Sequence, residues 1–398
     1  MPSRRWLLAG AGVALTGLFG GRTIADRTRA ATVDWPMARY DAARTGHSPD
    51  ASGPYDDPSV AWERELESSF GGGATPILLE GTLYVVAGSI TALEADTGSI
   101  EFTYDGSYRS SPAPVDASIY RTNTLAVSSP AGVFGLNADG GHRLGPLGRV
   151  GLERWHGPGQ EPGRSITGPP DSPPPVAVDG TIYAAIPGMD DLVALEGNDG
   201  TERFRVSHGA GTGLYAPAVR GDTVYVVGYA GELGAYDAET GENRWVVDVD
   251  VLNPYAPTVT DDGVVVPGRD SVTCFDHDGT RRFTYDHDGN ASDPDRAAAA
   301  VADGRVFVVD GTGSLHAIDL ETGEEDWIAS FGGVAAPVVA DEVVYLSNYG
   351  VSAFDVEDGE RRWEYEMRLP TPLPPIVGDE LLYVVEGDRV LALEEAGP

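Results

Sequence analysis

The feature that most restricts the fold is a segment order that returns about every 40 residues. One copy reads Ala216-Pro217-Ala218-Val219, the apolar run Thr223-Val224-Tyr225-Val226-Val227, then Leu233-Gly234-Ala235-Tyr236-Asp237, Ala238-Glu239-Thr240-Gly241 and Arg244-Trp245. The order returns at Ala336-Pro337-Val338-Val339, Val343-Val344-Tyr345-Leu346, Ser352-Ala353-Phe354-Asp355, Asp358-Gly359 and Arg362-Trp363. Aligning all copies puts their lead residues at Pro76, Pro114, Pro175, Pro217, Pro257, Ala299, Pro337 and Pro375, at intervals of 38, 61, 42, 40, 42, 38 and 38. A period of this length built from four short β-type runs is the mark of propeller blades, each a small four-stranded sheet.

Each part of the unit has a physical reason. The leading proline suits a sheet edge, where its missing N–H breaks no ladder bond. Runs such as Leu83 to Val86 and Val306 to Val309 are continuously apolar, as strands buried on both faces between blades must be. The Asp-x-x-Thr-Gly step is turn chemistry, with Asp and Thr bonding nearby backbone and Gly accepting positive φ. Four residues after the turn glycine comes a large side chain: Phe102, Leu144, Phe204, Trp245, Phe283, Trp327 and Trp363. Six of these seven are aromatic, so one recurring pocket between blades is expected to receive them.

The eighth copy supplies its Pro-led strand, Leu381 to Val385 and Val390 to Glu394, and then has no aromatic fourth strand. At the other end Val60-Ala61-Trp62-Glu63-Arg64-Glu65 is a lone Trp strand with nothing before it to pair. Joining the two in one blade leaves no end unpaired and fastens the ring. The expected fold is therefore all-β, an eight-bladed β-propeller over 60–396 whose N-terminal strand closes the last blade.

Composition bounds what such a ring can do. The chain of 398 residues carries 62 Asp and Glu against 27 basic residues, a formal charge of −35, and every basic residue is arginine. The absence of lysine excludes Schiff-base and P-loop chemistry. The charge opposes nucleic-acid binding, which basic groups drive by displacing counterions. Self-repulsion on this scale is relieved at molar salt, where the screening length falls to about 3 Å, so the composition points to a salt-rich setting of haloarchaeal type.

The N-terminus reads as a leader. Arg4 and Arg5 stand before an apolar run from Trp6 to Phe19, the layout of an export signal, and paired arginines there resemble a twin-arginine signal. The run is shorter than the ~20 residues that span a bilayer. Cleavage after Ala25 is expected, with a retained anchor as the alternative, and 26–59 is expected to be a linker that can lie across the domain. The exported chain is expected to be a monomer that does not span the membrane.

The Ala-x-Asp-x-x-Thr-Gly-x-x-x-Trp unit, as in Ala235 to Trp245, resembles the repeat of the pyrroloquinoline-quinone (PQQ) propellers over roughly Val60 to Glu394. That resemblance implies one of two functions. Quinoprotein dehydrogenases hold PQQ and calcium on the propeller axis and oxidise alcohols or sugars. A BamB-like branch uses the same blades to bind partners and carries no cofactor. The repeat encodes blade packing, so it identifies fold rather than function.

The residues favour the second branch. The dehydrogenases typically carry adjacent cysteines against the quinone, whereas this chain has only Cys274, aligned with Ala235, Ala317 and Ala353 at a small inward position. Six of the seven intervals are bare blades with no room for a lid. Asp286, Asp288, Asp293 and Asp295, with His287 and Asn290, crowd one inter-blade connection. They read as a solvated acidic loop or an irregular Ca²⁺ cluster without the spacing of a calcium-binding loop. The histidines do not pair at metal-ligand spacing, and His277 and His316 occupy repeat positions. No catalytic, cofactor or metal residue is assigned, and no cofactor is expected.

The 61-residue interval is the one interruption. Its extra residues, at about 147–172, concentrate Arg149, Arg154, Trp155, His156 and Arg164 in an otherwise acidic chain. Arg and Trp are enriched at binding hot spots, and long loops on rigid scaffolds often carry function, so these five are the partner-binding candidates. Alternatively, Trp155 replaces the fourth-strand aromatic missing at Leu144. The expectation is an exported, noncatalytic scaffold for an unidentified protein or envelope partner. A PQQ-dependent dehydrogenase and a carbohydrate-binding module are the alternatives.

Overall fold

The computed structural model describes residues 33–67, 74–145, 149–158, 172–209, 213–289, 298–371 and 373–397. The leader expected over 1–25 lies outside them. Eight small antiparallel sheets follow one another along the chain as an eight-bladed propeller, and among the described residues there is no helix. Blade 4 shows the unit: Ala218–Arg220, Thr223–Val227, Glu232–Asp237 and Asn243–Asp248, paired in that order from the innermost strand outward. In blade 1 the second and third strands form one run, Thr82–Glu94, which turns back at Gly88 so that the Ala95 N–H reaches the Gly81 carbonyl.

The first three strands of a blade are apolar and buried, whereas the fourth alternates, as in Asn243–Asp248 and Glu202–Ser207. The hydrophobic core is accordingly divided among the gaps between blades. Ile77, Tyr84 and Phe102 of blade 1 meet Leu125, Val127 and Leu136 of blade 2, and Ala235 and Leu233 of blade 4 meet Val264 and Phe275 of blade 5.

The recurring aromatic and the recurring glycine turn out to be partners across each gap. Trp327 of blade 6 lies against Gly359 of blade 7 and donates its indole N–H to the Val356 carbonyl at 3.1 Å. Trp245 likewise lies on Gly279 and donates to the His277 carbonyl at 2.8 Å. Phe102, Phe204 and Phe283 lie on Gly140, Gly241 and Gly323. These glycines have φ between 70° and 86°, and a Cβ there would crowd the ring, so the position favours glycine on two counts.

Closure uses the same device. Pro58–Glu65 pairs antiparallel with Arg389–Glu395 as the outer strand of blade 8, with Trp62 opposite Ala392. Trp62 then lies on Gly98 of blade 1 and donates to the Ala95 carbonyl at 2.8 Å. Blade 8 has no Thr-Gly turn to receive Trp363 of blade 7, and the carbonyl of Pro54 takes that indole N–H at 3.0 Å.

Two alignment expectations change. Pro114 pairs with Leu125, the register that Val219 has with Val224, so the lead residue of blade 2 is Pro112 and not Pro114. The turn from Asp116 to Asn123 is longer than in other blades, and that displaced the alignment by two residues. Leu144 does not enter the inter-blade pocket and is exposed, because the chain after Gly140 leaves the sheet through the hairpin His142–Arg143 and Arg149–Val150. The fourth strand of blade 2 is Glu153–His156, and Trp155 fills the pocket against Gly200 with its N–H on the Gly197 carbonyl at 3.1 Å.

Candidate functional site

The axis is where a propeller collects one strand from every blade, and here part of the expected linker lies in it. From Trp35 to Gly46 the chain runs as a strap over the inner edges of the innermost strands. Trp35 exchanges two backbone hydrogen bonds with Leu78 of blade 1, at 2.8 and 2.9 Å. The carbonyls of Ala42, Ala43, Thr45 and Gly46 then accept the N–H groups of Val219, Val259, Val301 and Val339, one each from blades 4 to 7, at 2.7 to 2.9 Å. These four valines hold the same register, opposite Val224, Val264, Val306 and Val344, so their N–H groups all point away from their own sheets toward the strap. Ser52 bridges to Asp379 of blade 8.

The strap carries its polar groups inward. Arg39 is buried and gives two hydrogen bonds from Nη2, to the Ala299 carbonyl at 2.9 Å and the Pro337 carbonyl at 2.6 Å. Burial, reinforced by the nearby Arg44 charge and opposed by Asp41, lowers its pKa to about 9. Burial pushes the Asp41 carboxyl up, opposed by its hydrogen bonds from the Thr45 N–H and hydroxyl at 2.9 and 3.0 Å. Trp35 and Met37 complete an apolar filling at this end of the axis. Composition alone did not reveal this; the polar look of the stretch hid the alternation of small apolar residues with two arginines.

Of the five insertion residues, four lie in the described structure. The Arg154 guanidinium is held within blade 2 by the Thr122 carbonyl and hydroxyl, the Thr124 hydroxyl and the Asn137 side chain, at 2.5 to 3.0 Å, and covers the Tyr120 ring at 4.0 Å. Trp155 is buried as the blade 2 knob. Arg149 donates to the Gly140 carbonyl at 3.0 Å and lies 4.8 Å over the Phe102 ring. His156 is exposed and stacks on Phe134, with ring centroids 4.1 Å apart. Arg164 lies outside the described residues. The four therefore do not converge on one point, and two are consumed by the blade.

The acidic connection is described only through Gly289, and Asn290, Asp293 and Asp295 lie outside the described residues. Beside it, Asp310 caps a tight turn by accepting the N–H groups of Thr312, Gly313 and Ser314 at 2.8 to 2.9 Å. Burial alone would raise its pKa, and those donors outweigh it, holding the carboxyl at about 2. His316 shares a hydrogen bond of 3.0 Å with Tyr285, and His277 one of 2.9 Å with Tyr225, so both repeat-position histidines join neighbouring blades.

Among the described residues no three His, Cys, Asp or Glu side chains converge to hold a metal ion. Cys274 is fully buried between blades 5 and 6, and burial pushes its thiol up to about 11, away from nucleophilic chemistry. Among the described residues there is no helix long and apolar enough to cross a membrane.

Both an assembly factor and quinoprotein dehydrogenases are among the proteins this chain is similar to. The sequence model of the family described as "Outer membrane protein assembly factor BamB" matches residues 145–270, 188–294 and 268–397. The assembly factor BamB of Shewanella oneidensis is 35% identical over 78 residues, which are 19% of this chain and 20% of that protein. This chain thus spans about a fifth of that relative's length. The crystal structure of BamB from Moraxella catarrhalis superposes with a TM-score of 0.64 at 16% identity, covering 85% of this chain and 100% of that one. Quinohemoprotein alcohol dehydrogenase from Comamonas testosteroni superposes with a TM-score of 0.70 at 15% identity, covering 93% and 82%. At such identities both superpositions establish the propeller and nothing finer.

Proposed function

The chain belongs to the family of the outer membrane protein assembly factor BamB, and from that premise we propose that it is an exported, noncatalytic propeller scaffold that holds a protein or cell-envelope partner. The observation that carries this reading is the use to which the polar groups are put. The arginines of the repeats tie together strands and turns of their own blade: Arg244 pairs with Asp237 and Asp222 at 2.9 Å each, and Arg203 pairs with Glu196 at 2.5 Å. The buried tyrosines and histidines bridge neighbouring blades, and the lone thiol is packed away. Few of these groups are left to touch a substrate, and a rigid ring of loops is what a scaffold requires.

A second reading, a PQQ-dependent dehydrogenase, has the propeller likeness to quinohemoprotein alcohol dehydrogenase in its favour. Incubation of the purified protein with PQQ and Ca²⁺ in molar NaCl separates the two. The scaffold reading expects no PQQ absorbance to co-elute on gel filtration and no dye reduction with alcohols or aldoses. Stoichiometric retention with substrate-dependent reduction overturns it.

Export completes the proposal. Changing Arg4 and Arg5 to Lys is expected to hold the precursor inside the cell, and the mature protein is expected to begin near Asp26. Of the insertion, we assign partner contact to the exposed His156 side and the segment beyond it, including Arg164. Deleting 159–171 spares the Trp155 strand and is expected to reduce partner capture without changing the unfolding midpoint; capture equal to the parent's overturns that assignment.

A further inference from the structure

The strap covers the inner rim unevenly. Blades 1 and 4 to 7 each receive a backbone acceptor from it, and blade 8 is bridged by Ser52. Among the described residues it brings neither to blades 2 and 3. In blade 3 the residue in that register is Ala177, opposite Ile182 as Val219 is opposite Val224, so its N–H points inward in the same way. In blade 2 the equivalent residue is Pro114, which has no N–H to satisfy.

A groove of about 210 Å³ lies over this gap. Pro114, Ala177 and Val178 line it together with Asp116, Asn123 and Asp179. The two aspartates are exposed. Neighbouring turns of the same kind use their acids differently: Asp261 pairs with Arg220 at 2.6 Å, and Asp222 with Arg244 at 2.9 Å. No such arginine pair is formed by Asp116 or Asp179 among the described residues.

We propose that this groove binds an arginine-containing, strap-like segment of a partner protein, one of whose backbone carbonyls accepts the Ala177 N–H while its arginine meets Asp116 and Asp179. The occupant's chemistry is read from the strap itself, which shows in blades 4 to 7 what rests on this register: a turning backbone, with Arg44 and Gly46 left-handed, that gives one carbonyl per blade. The pairing of edge N–H groups supplies affinity, and the flanking carboxylates select a cationic side chain. This deepens the scaffold reading and rests on it, placing a partner contact on the inner rim of blades 2 and 3.

The test uses the whole protein and two fluorescein-labelled peptides. One copies Ala42–His47, which carries Arg44, and the other has glutamate in place of that arginine. Anisotropy titrations compare the parent with Ala177→Pro, which removes only the inward N–H and has a precedent in Pro114, and with the double variant Asp116→Asn, Asp179→Asn. Unfolding midpoints are recorded for each variant. Saturable one-to-one binding of the arginine peptide is expected. Ala177→Pro should weaken it at least tenfold, and the double variant should abolish the preference for arginine over glutamate. Absence of saturable binding, or parent-like binding by Ala177→Pro, overturns the proposal. The scaffold reading is judged by PQQ retention instead, so the groove can fail while the scaffold stands.

Discussion

Gly98 is the point at which ring closure depends on the absence of a single carbon. It sits in the turn of blade 1 with φ of 64°, and a Cβ built there lies 2.7 Å from Cζ3 and 2.9 Å from Cδ2 of Trp62, the knob of the closing blade. Gly98→Ala therefore carries two costs. The left-handed backbone costs an L residue about 1–2 kcal/mol. Crowding a packed ring adds about 1–3 kcal/mol, so a loss of about 2–5 kcal/mol is expected. Gly221 is the control: its φ is 58°, and a Cβ there meets nothing within 4 Å. Gly221→Ala should cost only the backbone share, about 1–2 kcal/mol. Urea unfolding of the two variants and the parent at one fixed salt concentration gives the comparison. Equal losses for the two would refute the view that the glycine exists to admit the tryptophan.

Three further outcomes are expected. Trp62→Ala should destabilise by less than the about 3–5 kcal/mol usual for a fully buried large aromatic, because Trp62 is partly buried, and deleting Pro58–Glu65 should abolish cooperative melting; an unchanged midpoint would contradict closure by that strand. Asp310, held at about 2 against an unfolded value of 3.8, contributes stability that is full above pH 4 and is lost as pH falls through 2. Asp310→Asn should flatten the dependence of melting temperature on pH between 4 and 2 relative to the parent. Cys274 should resist a thiol reagent in the native protein and react on unfolding, so labelling at the native rate of an exposed cysteine would place it outside the core.

The repeat was legible because its information is local. Turn chemistry at Asp237 to Gly241, apolar runs at Thr223 to Val227 and the aromatic at Trp245 all fall within one stretch of some 25 residues, so each copy could be recognised by itself. The lone strand at Trp62 and the unfinished copy at the C-terminus announced their pairing by each lacking what the other had. Where spacing was irregular, local reading failed: the lengthened turn after Asp116 hid Pro112 as the lead residue, and the hairpin after Gly140 separated Trp155 from its own sheet by more chain than the repeat allows.

What no single stretch could show is which residue meets which across a gap. That Phe102 needs Gly140, or that Trp363 must turn to Pro54, follows only when consecutive sheets are placed face to face, because the contacts join different copies of the same pattern. The strap is the clearest case. Its amino acids are ordinary for a polar linker, and its burial comes from N–H groups of four blades left pointing inward by their register. Those groups lie 177 to 293 residues along the chain from their acceptors, so sequence spacing carries no trace of them. Chemistry within a blade is written in neighbouring residues, whereas the axis is shared by all eight, and its filling was decided by the closed ring.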